Sequence, residues 1–402
     1  MYVLLEILLV SAAALLLVPI GMFCLEVLVS LWPRQPSPLP EWNEAWKVAV
    51  LIPAHNEQSV LSQTLQTLIP TLPSGAEVVV VADNCSDQTA SVARSQGALV
   101  VERHDAQHRG KGYALDFGLQ HLAERPPDTV VFLDADCQVA EQTVRRLAAA
   151  AIVSGRPVQG LNLCDPDPMG GPMQAVSGLA FRFKNLVRTL GLSRLAGLNY
   201  LTGTGMALPW NLVRRSSLPG ANVVEDMQWG IDLALAGFPP QFLPEAAVRS
   251  PLPQQRRAAR TQRTRWEHGH LMTLLTEAPR LVSLAIKHRR CDLLLLAFDL
   301  AIPPLSLLVL STVCLFLVTV LCAMPGFASW MAALCLASGT AMLGVAVFAG
   351  WWRHCREVIP LSALLTAPFY AIAKAPIYAA FFWKRQHEWV RTERDAADSV
   401  AR

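Results

Sequence analysis

Thr129-Val-Val-Phe-Leu-Asp134-Ala135-Asp136 is an apolar run of strand length that ends in two carboxylates one residue apart. The same form recurs upstream. Lys47-Val-Ala-Val-Leu-Ile-Pro53 runs into the polar turn Ala54-His55-Asn56-Glu57, and Glu77-Val-Val-Val-Val-Ala-Asp83 into Asn84-Cys85-Ser86-Asp87. A third run, Ala98-Leu-Val-Val-Glu102, precedes the loop His104–Gly112. Helical patterns begin at Gln58, end near Gln96, and resume after Gly112. Strands that are apolar throughout and alternate with helices predict an α/β domain with a mostly parallel sheet covered on both faces. In such open sheets the ligand lies beyond the carboxyl ends of the strands. That rule singles out Pro53, Glu57, Asp83, Asp134 and Asp136.

Two common nucleotide signatures are absent. No G-x-G-x-x-G follows the first strand, so the dinucleotide pattern does not apply. Arg109-Gly110-Lys111-Gly112 is not a phosphate loop of the Walker type, because Tyr113 stands where Ser or Thr must bind magnesium. What remains is a nucleotide site rich in carboxylates. The nine cysteines form no CxxC pair and read as small buried hydrophobes.

Charge is unevenly spread. The 402 residues hold 34 Lys and Arg against 31 Asp and Glu, 16% in all, where a soluble domain carries about 25%. Ile7–Leu25 and Leu300–Trp352 carry no charge at all. A spanning helix needs about 20 apolar residues. The first stretch is read as one retained anchor. The second is read as two spans folded at Met324-Pro325-Gly326. Val358–Trp383 is apolar but contains Lys374, Pro360, Pro368 and Pro376, and either spans, or re-enters or lies at the interface. Arg34 and Lys47, the group Arg280, Lys287, Arg289 and Arg290, and the pair Arg353 and Arg356 mark cytoplasmic loops. Lys384, Arg385, Arg391 and Arg394 ask the same of the tail, which favours re-entry of Val358–Trp383. The expected organisation is an anchor over 1–33, a cytoplasmic domain over 47–252, basic interfacial helices over 253–291, membrane helices over 292–383 and a cytoplasmic tail over 384–402. The protein is thereby expected to be integral to the inner or plasma membrane.

Arg249–Arg290 holds ten Lys and Arg against only Glu267 and Glu277. Such a segment suits anionic lipid headgroups. Adjoining spans argue against nucleic acid as its partner. Pro172–Leu198, with Arg182, Lys184, Arg188 and Arg194 among apolar residues, reads as a further interfacial amphipathic helix.

Asp83, Asp134-Ala135-Asp136, Glu225-Asp226 and Gln262-Arg263-Thr264-Arg265-Trp266 follow one another in an order that resembles the membrane-integrated family 2 glycosyltransferases of the GT-A fold. Cellulose, chitin and hyaluronan synthases and ceramide glucosyltransferase share this pattern. The resemblance covers roughly Lys47–Leu271. It implies that Asp136 and Asp134 hold Mg2+ or Mn2+, a role that suits hard oxygen ligands. It also implies that Pro53, Glu57, Asp83 and Lys111 contact the nucleotide and its diphosphate, and that Asp226 is the catalytic base of an inverting transfer.

Glu225-Asp226 begins a helix that ends at Gly237. Gln262, Arg265 and Trp266 share one helix face. The resemblance implies that Arg265 and Gln262 reach the nucleotide-sugar there and that Trp266 offers a flat surface to donor and acceptor. Thr204, Gly205 and Glu225 are expected beside the acceptor. The expected activity is transfer from a nucleotide-diphosphate sugar, UDP-linked by resemblance, to a growing polysaccharide. A membrane lipid is the alternative acceptor, and a non-catalytic scaffold or transport component is the reading from another class. Three or four membrane segments are few for a self-contained secretion channel, so partner subunits for export are a further expectation.

Overall fold

The computed structural model describes residues 2–34, 36, 38, 40–167, 170–215, 225–252 and 256–383, with side chains of 256–259 left aside. The tail 384–402, with Lys384, Arg385, Arg391 and Arg394, lies outside the described residues. The chain divides into two compact units.

One unit, from Arg34–Asp165 and Leu198–Arg265, is built on a single eight-stranded sheet. Its strands are β1 Val48–Ala54, β2 Ala76–Asp83, β3 Leu99–Arg103, β4 Thr129–Phe132, β5 Gln138–Val139, β6 Val158–Asp165, β7 Met206–Pro209 and β8 Gln241–Pro251. Their order is β3-β2-β1-β4-β7-β6-β8-β5. The half β3-β2-β1-β4 is parallel, as the four apolar runs predict. Beyond it the sheet is mixed. β7 runs antiparallel to β4 and β6, β6 and β8 are parallel, and β5 is antiparallel to β8.

Alternate residues of each central strand supply different cores. Val48, Val50 and Ile52 pack with Leu61, Leu65 and Leu147 on one face. Ala49 and Leu51 pack with Leu115, Leu119, Phe132 and Trp229 on the other. Both faces being covered is why no polar residue interrupts β1. The helix Gln58–Leu68 serves the first face, and Lys111–Leu122 and Glu225–Leu235 serve the second.

The other unit, from 1–33, 166–197 and 266–386, is helical. Among the described residues, four of its helices are long and apolar enough to cross a membrane: Tyr2–Ser30, Leu305–Ala323, Met331–His354 and Ser362–Trp383. The turn expected at Met324-Pro325-Gly326 separates the second and third, with Gly326 at φ +79°. Ser362–Trp383 is continuous through Pro368 and Pro376 and does not turn back. Each proline removes one backbone donor, a loss that apolar helices tolerate.

Pro172–Arg182, a π-helical turn over Phe183–Arg188 and Thr189–Ala196 follow one another without a break and make one helical run where a single helix was expected. Lys184 of this segment is exposed, but not all its charges stay at a surface. Arg182 and Arg188 are buried. Arg188 donates to the carboxylate of Glu26 at 3.1 Å and to that of Asp299 at 2.8 Å. Glu26, the acid that seemed to bound the first apolar stretch, therefore lies inside its helix with a partner.

Candidate active site

β1, β2 and β4 deliver their residues to one end of the sheet. Pro53 pairs in register with Val81 of β2. The turn after β1 is tied to the turn after β2: Ser86 N–H donates to Asn56 Oδ1 at 2.7 Å, and Glu57 N–H to Thr89 Oγ1 at 2.8 Å. His55 Nδ1 lies 2.7 Å from the Asp83 carbonyl oxygen.

Asp83 closes β2 and is only 6% exposed. Arg103 at the end of β3 donates to Asp83 Oδ1 at 2.7 Å, and Asn84 Nδ2 to the same oxygen at 2.9 Å. Both bonds fall on Oδ1, so the remaining acceptor capacity of this carboxylate is on Oδ2. Arg103 also donates to Asp105 at 3.1 Å, and Asp105 is bonded to His108 at 2.9 Å. Those bonds to His108 hold the Asp105 carboxyl down at about 2.

After β4 the chain turns so that Asp134, Asp136 and Cys137 bring their ligand atoms within 4.8 Å of one another. Thr204 is the brace beneath this turn. Its Oγ1 accepts the Asp134 backbone N–H at 3.0 Å and lies 3.1 Å from Cys137 Sγ. Burial first, then the charges of Asp134 and Asp136, push the Cys137 thiol up to about 12. Asp134 and Asp136 contribute hard carboxylate oxygens to this set. Such a set fits a hard divalent cation such as Mg2+ or Mn2+.

The loop Thr202–Gly205 brings the remaining groups together. Lys111, first residue of its helix, pairs with Asp134 and donates to the Gly203 carbonyl at 2.7 Å. Gly203 adopts φ +80°. A Cβ there would lie 2.9 Å from Asp226 Oδ2 and 3.3 Å from Lys111 Nζ. Lys111 thus pairs with Asp134 and stands with Asp226 at a backbone position where a Cβ would force a side chain to shift. Burial opposes the Lys111 charge, but Asp134, Glu225 and Asp226 outweigh it and raise the ammonium above its ordinary range. Glu225 is buried beside Asp226. Burial, then the Asp226 charge, raises its carboxyl above the ordinary range.

Thr204 and Gly205, expected at the acceptor, lie under the site. Thr204 is 2% exposed, and its hydroxyl is engaged by Asp134. Gly205 N–H donates to the Phe132 carbonyl at 2.9 Å, and a Cβ there would meet Val248 Cγ2 at 2.8 Å. The sequence reading overlooked Gln159, Arg103 and Cys137. Gln159 Nε2 donates to the Thr204 carbonyl at 2.9 Å while Oε1 accepts Thr202 N–H at 2.8 Å. β6 holds a second amide at Asn162, so no local feature singled out Gln159. Gln262 and Arg265 lie in the helix Arg256–His288 and belong to the sheet unit. Trp266 belongs to the helical unit, its ring 5.7 Å from that of Phe181.

A family model described as "Glycosyltransferase like family 2" matches residues 45–269. The probable glycosyltransferase YdaM of Bacillus subtilis is 28% identical over 269 residues, 59% of this chain and 59% of that relative. An undecaprenyl-phosphate 4-deoxy-4-formamido-L-arabinose transferase of Edwardsiella ictaluri is 33% identical over 115 residues, 26% of this chain and 33% of the relative. The chain thus spans between a third and three fifths of the length of these two relatives. Among solved structures, a mannosyltransferase from Pyrobaculum calidifontis in complex with GDP-Man and Mn2+ aligns over 94% of this chain and 100% of its own at TM-score 0.61. At 19% identity that likeness is one of fold.

Proposed function

Because this chain belongs to the family 2 glycosyltransferases, we propose that it transfers a sugar from a nucleotide-diphosphate sugar, UDP-linked by preference, to a hydroxyl or phosphate of a membrane-lipid acceptor. The observation that carries the reading is the meeting of Lys111, Asp134 and Asp226 around Gly203. A cation, a metal-ligand carboxylate and a second carboxylate stand together there, as a diphosphate leaving group and an attacking oxygen require.

In this reading Asp134 and Asp136 hold Mg2+ or Mn2+, which when bound neutralises charge developing on the leaving diphosphate. Lys111 binds the diphosphate, and Arg265 and Gln262 add donors to it. Asp83 receives the base through Oδ2, with Pro53 and Glu57 beside it. Asp226 accepts the acceptor's proton as its oxygen attacks the anomeric carbon opposite the leaving group, which inverts the configuration. Glu225 raises the basicity of Asp226 when ionised, and Trp266 presents an apolar face to the acceptor.

A lipid acceptor is preferred over the growing polysaccharide for two reasons. Four apolar helices are few for a polymer channel, and one relative's name carries undecaprenyl phosphate. The sheet unit is assigned to the cytoplasmic side because Arg280, Lys287, Arg289 and Arg290 precede the second long apolar helix and Arg353 and Arg356 follow the third.

The test is sugar transfer by the purified full chain with UDP-sugars, GDP-sugars, Mg2+ or Mn2+ and extracted lipids. One discrete lipid product, lost in Asp226→Asn and Asp136→Asn, is expected. A ladder of products would restore the polysaccharide acceptor, and transfer unchanged in either variant would overturn the mechanism.

A further inference from the structure

Lys374 sits midway along Ser362–Trp383, a helix apolar enough to cross a membrane, and is 7% exposed. An ionised side chain in such a place is costly unless partnered. Its ammonium pairs with Glu267, the residue that follows Trp266. Tyr378 donates to the other Glu267 oxygen at 3.1 Å, and Ser306 Oγ lies 2.9 Å from Tyr378 OH. The Lys374 ammonium also lies 4.9 Å from the ring centroid of Tyr370. Next along, His268 Nε2 is 2.9 Å from the Ile377 carbonyl oxygen, and its ring meets Phe381 edge-on at 5.4 Å. Leu271 packs with Tyr378 and Phe381. Lys374, Ile377, Tyr378 and Phe381 therefore form one stripe, spaced i, i+3, i+4 and i+7, against Glu267, His268 and Leu271.

Apolar contact alone leaves a helix free to slip in register or rotate. An ion pair with a second hydrogen bond does not, because a misaligned pair strands two charges away from water. We propose that Lys374 is a positioning residue for sugar transfer. By pairing with Glu267 it sets the rotation of the helix Arg256–His288 at Trp266, and so the direction in which Trp266 points. The proposal rests on the reading above, in which Trp266 meets the acceptor.

The test uses the full chain in lipid nanodiscs, with Lys374→Met, the double variant Glu267→Met/Lys374→Met and the exchanged pair Glu267→Lys/Lys374→Glu. In Lys374→Met, amide exchange across 262–271 should rise about tenfold, and the acceptor KM about tenfold. The double variant removes both charges without stranding one. It should stay folded yet keep the raised acceptor KM, which a merely stabilising pair would not produce. The exchanged pair should return both quantities to within about threefold of the parent. Unchanged exchange across 262–271 in both Met variants, or a normal acceptor KM in the double variant, overturns the proposal. Should the parent chain transfer no sugar, the functional reading fails. The exchange measurement then still decides whether Lys374 holds the segment, and the double variant decides it even where the single variant does not fold.

Discussion

The Thr204 hydroxyl accepts the backbone N–H of Asp134 at 3.0 Å, across 70 residues of chain. The carboxylate pair that ends β4 is thus held from below by a loop that precedes β7. Thr204→Val should leave that N–H without an acceptor in a buried place, a loss of about 1–3 kcal/mol. Affinity for Mn2+ together with a nucleotide diphosphate, read by titration calorimetry, should fall about tenfold, while Thr204→Ser stays near the parent. Equal affinities in all three proteins would remove Thr204 from this role.

Gly203 has φ +80°, with Asp226 Oδ2 and Lys111 Nζ both close to where a Cβ would stand. Gly203→Ala adds a left-handed penalty of about 1–2 kcal/mol and displaces one or both side chains. We expect kcat to fall at least tenfold, about 1.4 kcal/mol in the barrier. Thermal unfolding separates that effect from simple loss of fold.

Glu225 carries a raised carboxyl pKa, first from burial and then from Asp226. The folded chain therefore holds a proton that the unfolded chain releases at lower pH. Stability must fall as pH climbs from the ordinary carboxylate range through the raised value, and level off above it. Glu225→Gln removes this dependence. The difference in melting temperature between variant and parent should shift in the variant's favour from about pH 5 to about pH 8. A difference that does not vary with pH would contradict the assignment.

Arg188 joins Glu26 and Asp299 in the helical unit, where the two acids are 0% and 5% exposed at their side chains. Arg188→Met strands both, and a broken buried pair costs about 3–5 kcal/mol. The detergent-solubilised variant should melt well below the parent. Arg188→Lys keeps the charge without the planar fork and should fall between.

The four apolar runs of the sheet and the long apolar helices were legible because their signal is local. A strand covered on both faces must be apolar at every position, and a helix apolar all round must lie in lipid or core. The carboxylates beyond the strands were legible for the same reason, since each follows its strand directly. β5 to β8 were not recognised: β5 and β7 are two and four residues long, and Pro244 and Glu245 interrupt the apolar pattern of β8. Their places are set by pairing with distant strands.

What the sequence by itself determined is therefore the parallel half of the sheet, the membrane character of the long apolar helices and the candidates Asp83, Asp134, Asp136 and Asp226. Tertiary structure alone decided which groups brace them. Gln159 and Arg103 read as ordinary polar residues, and Thr204 as an acceptor contact, until the fold carries them to the Thr202–Gly205 loop, Asp83 and Asp134. Arg182, Arg188 and Lys374 looked like surface or interfacial charges. A charge is tolerated inside only when a partner meets it there, and for Arg188 and Lys374 those partners, Glu26, Asp299 and Glu267, come from 107 to 162 residues away. Side-chain pairing over such separations leaves no periodicity in the chain, so only the packed molecule reveals it.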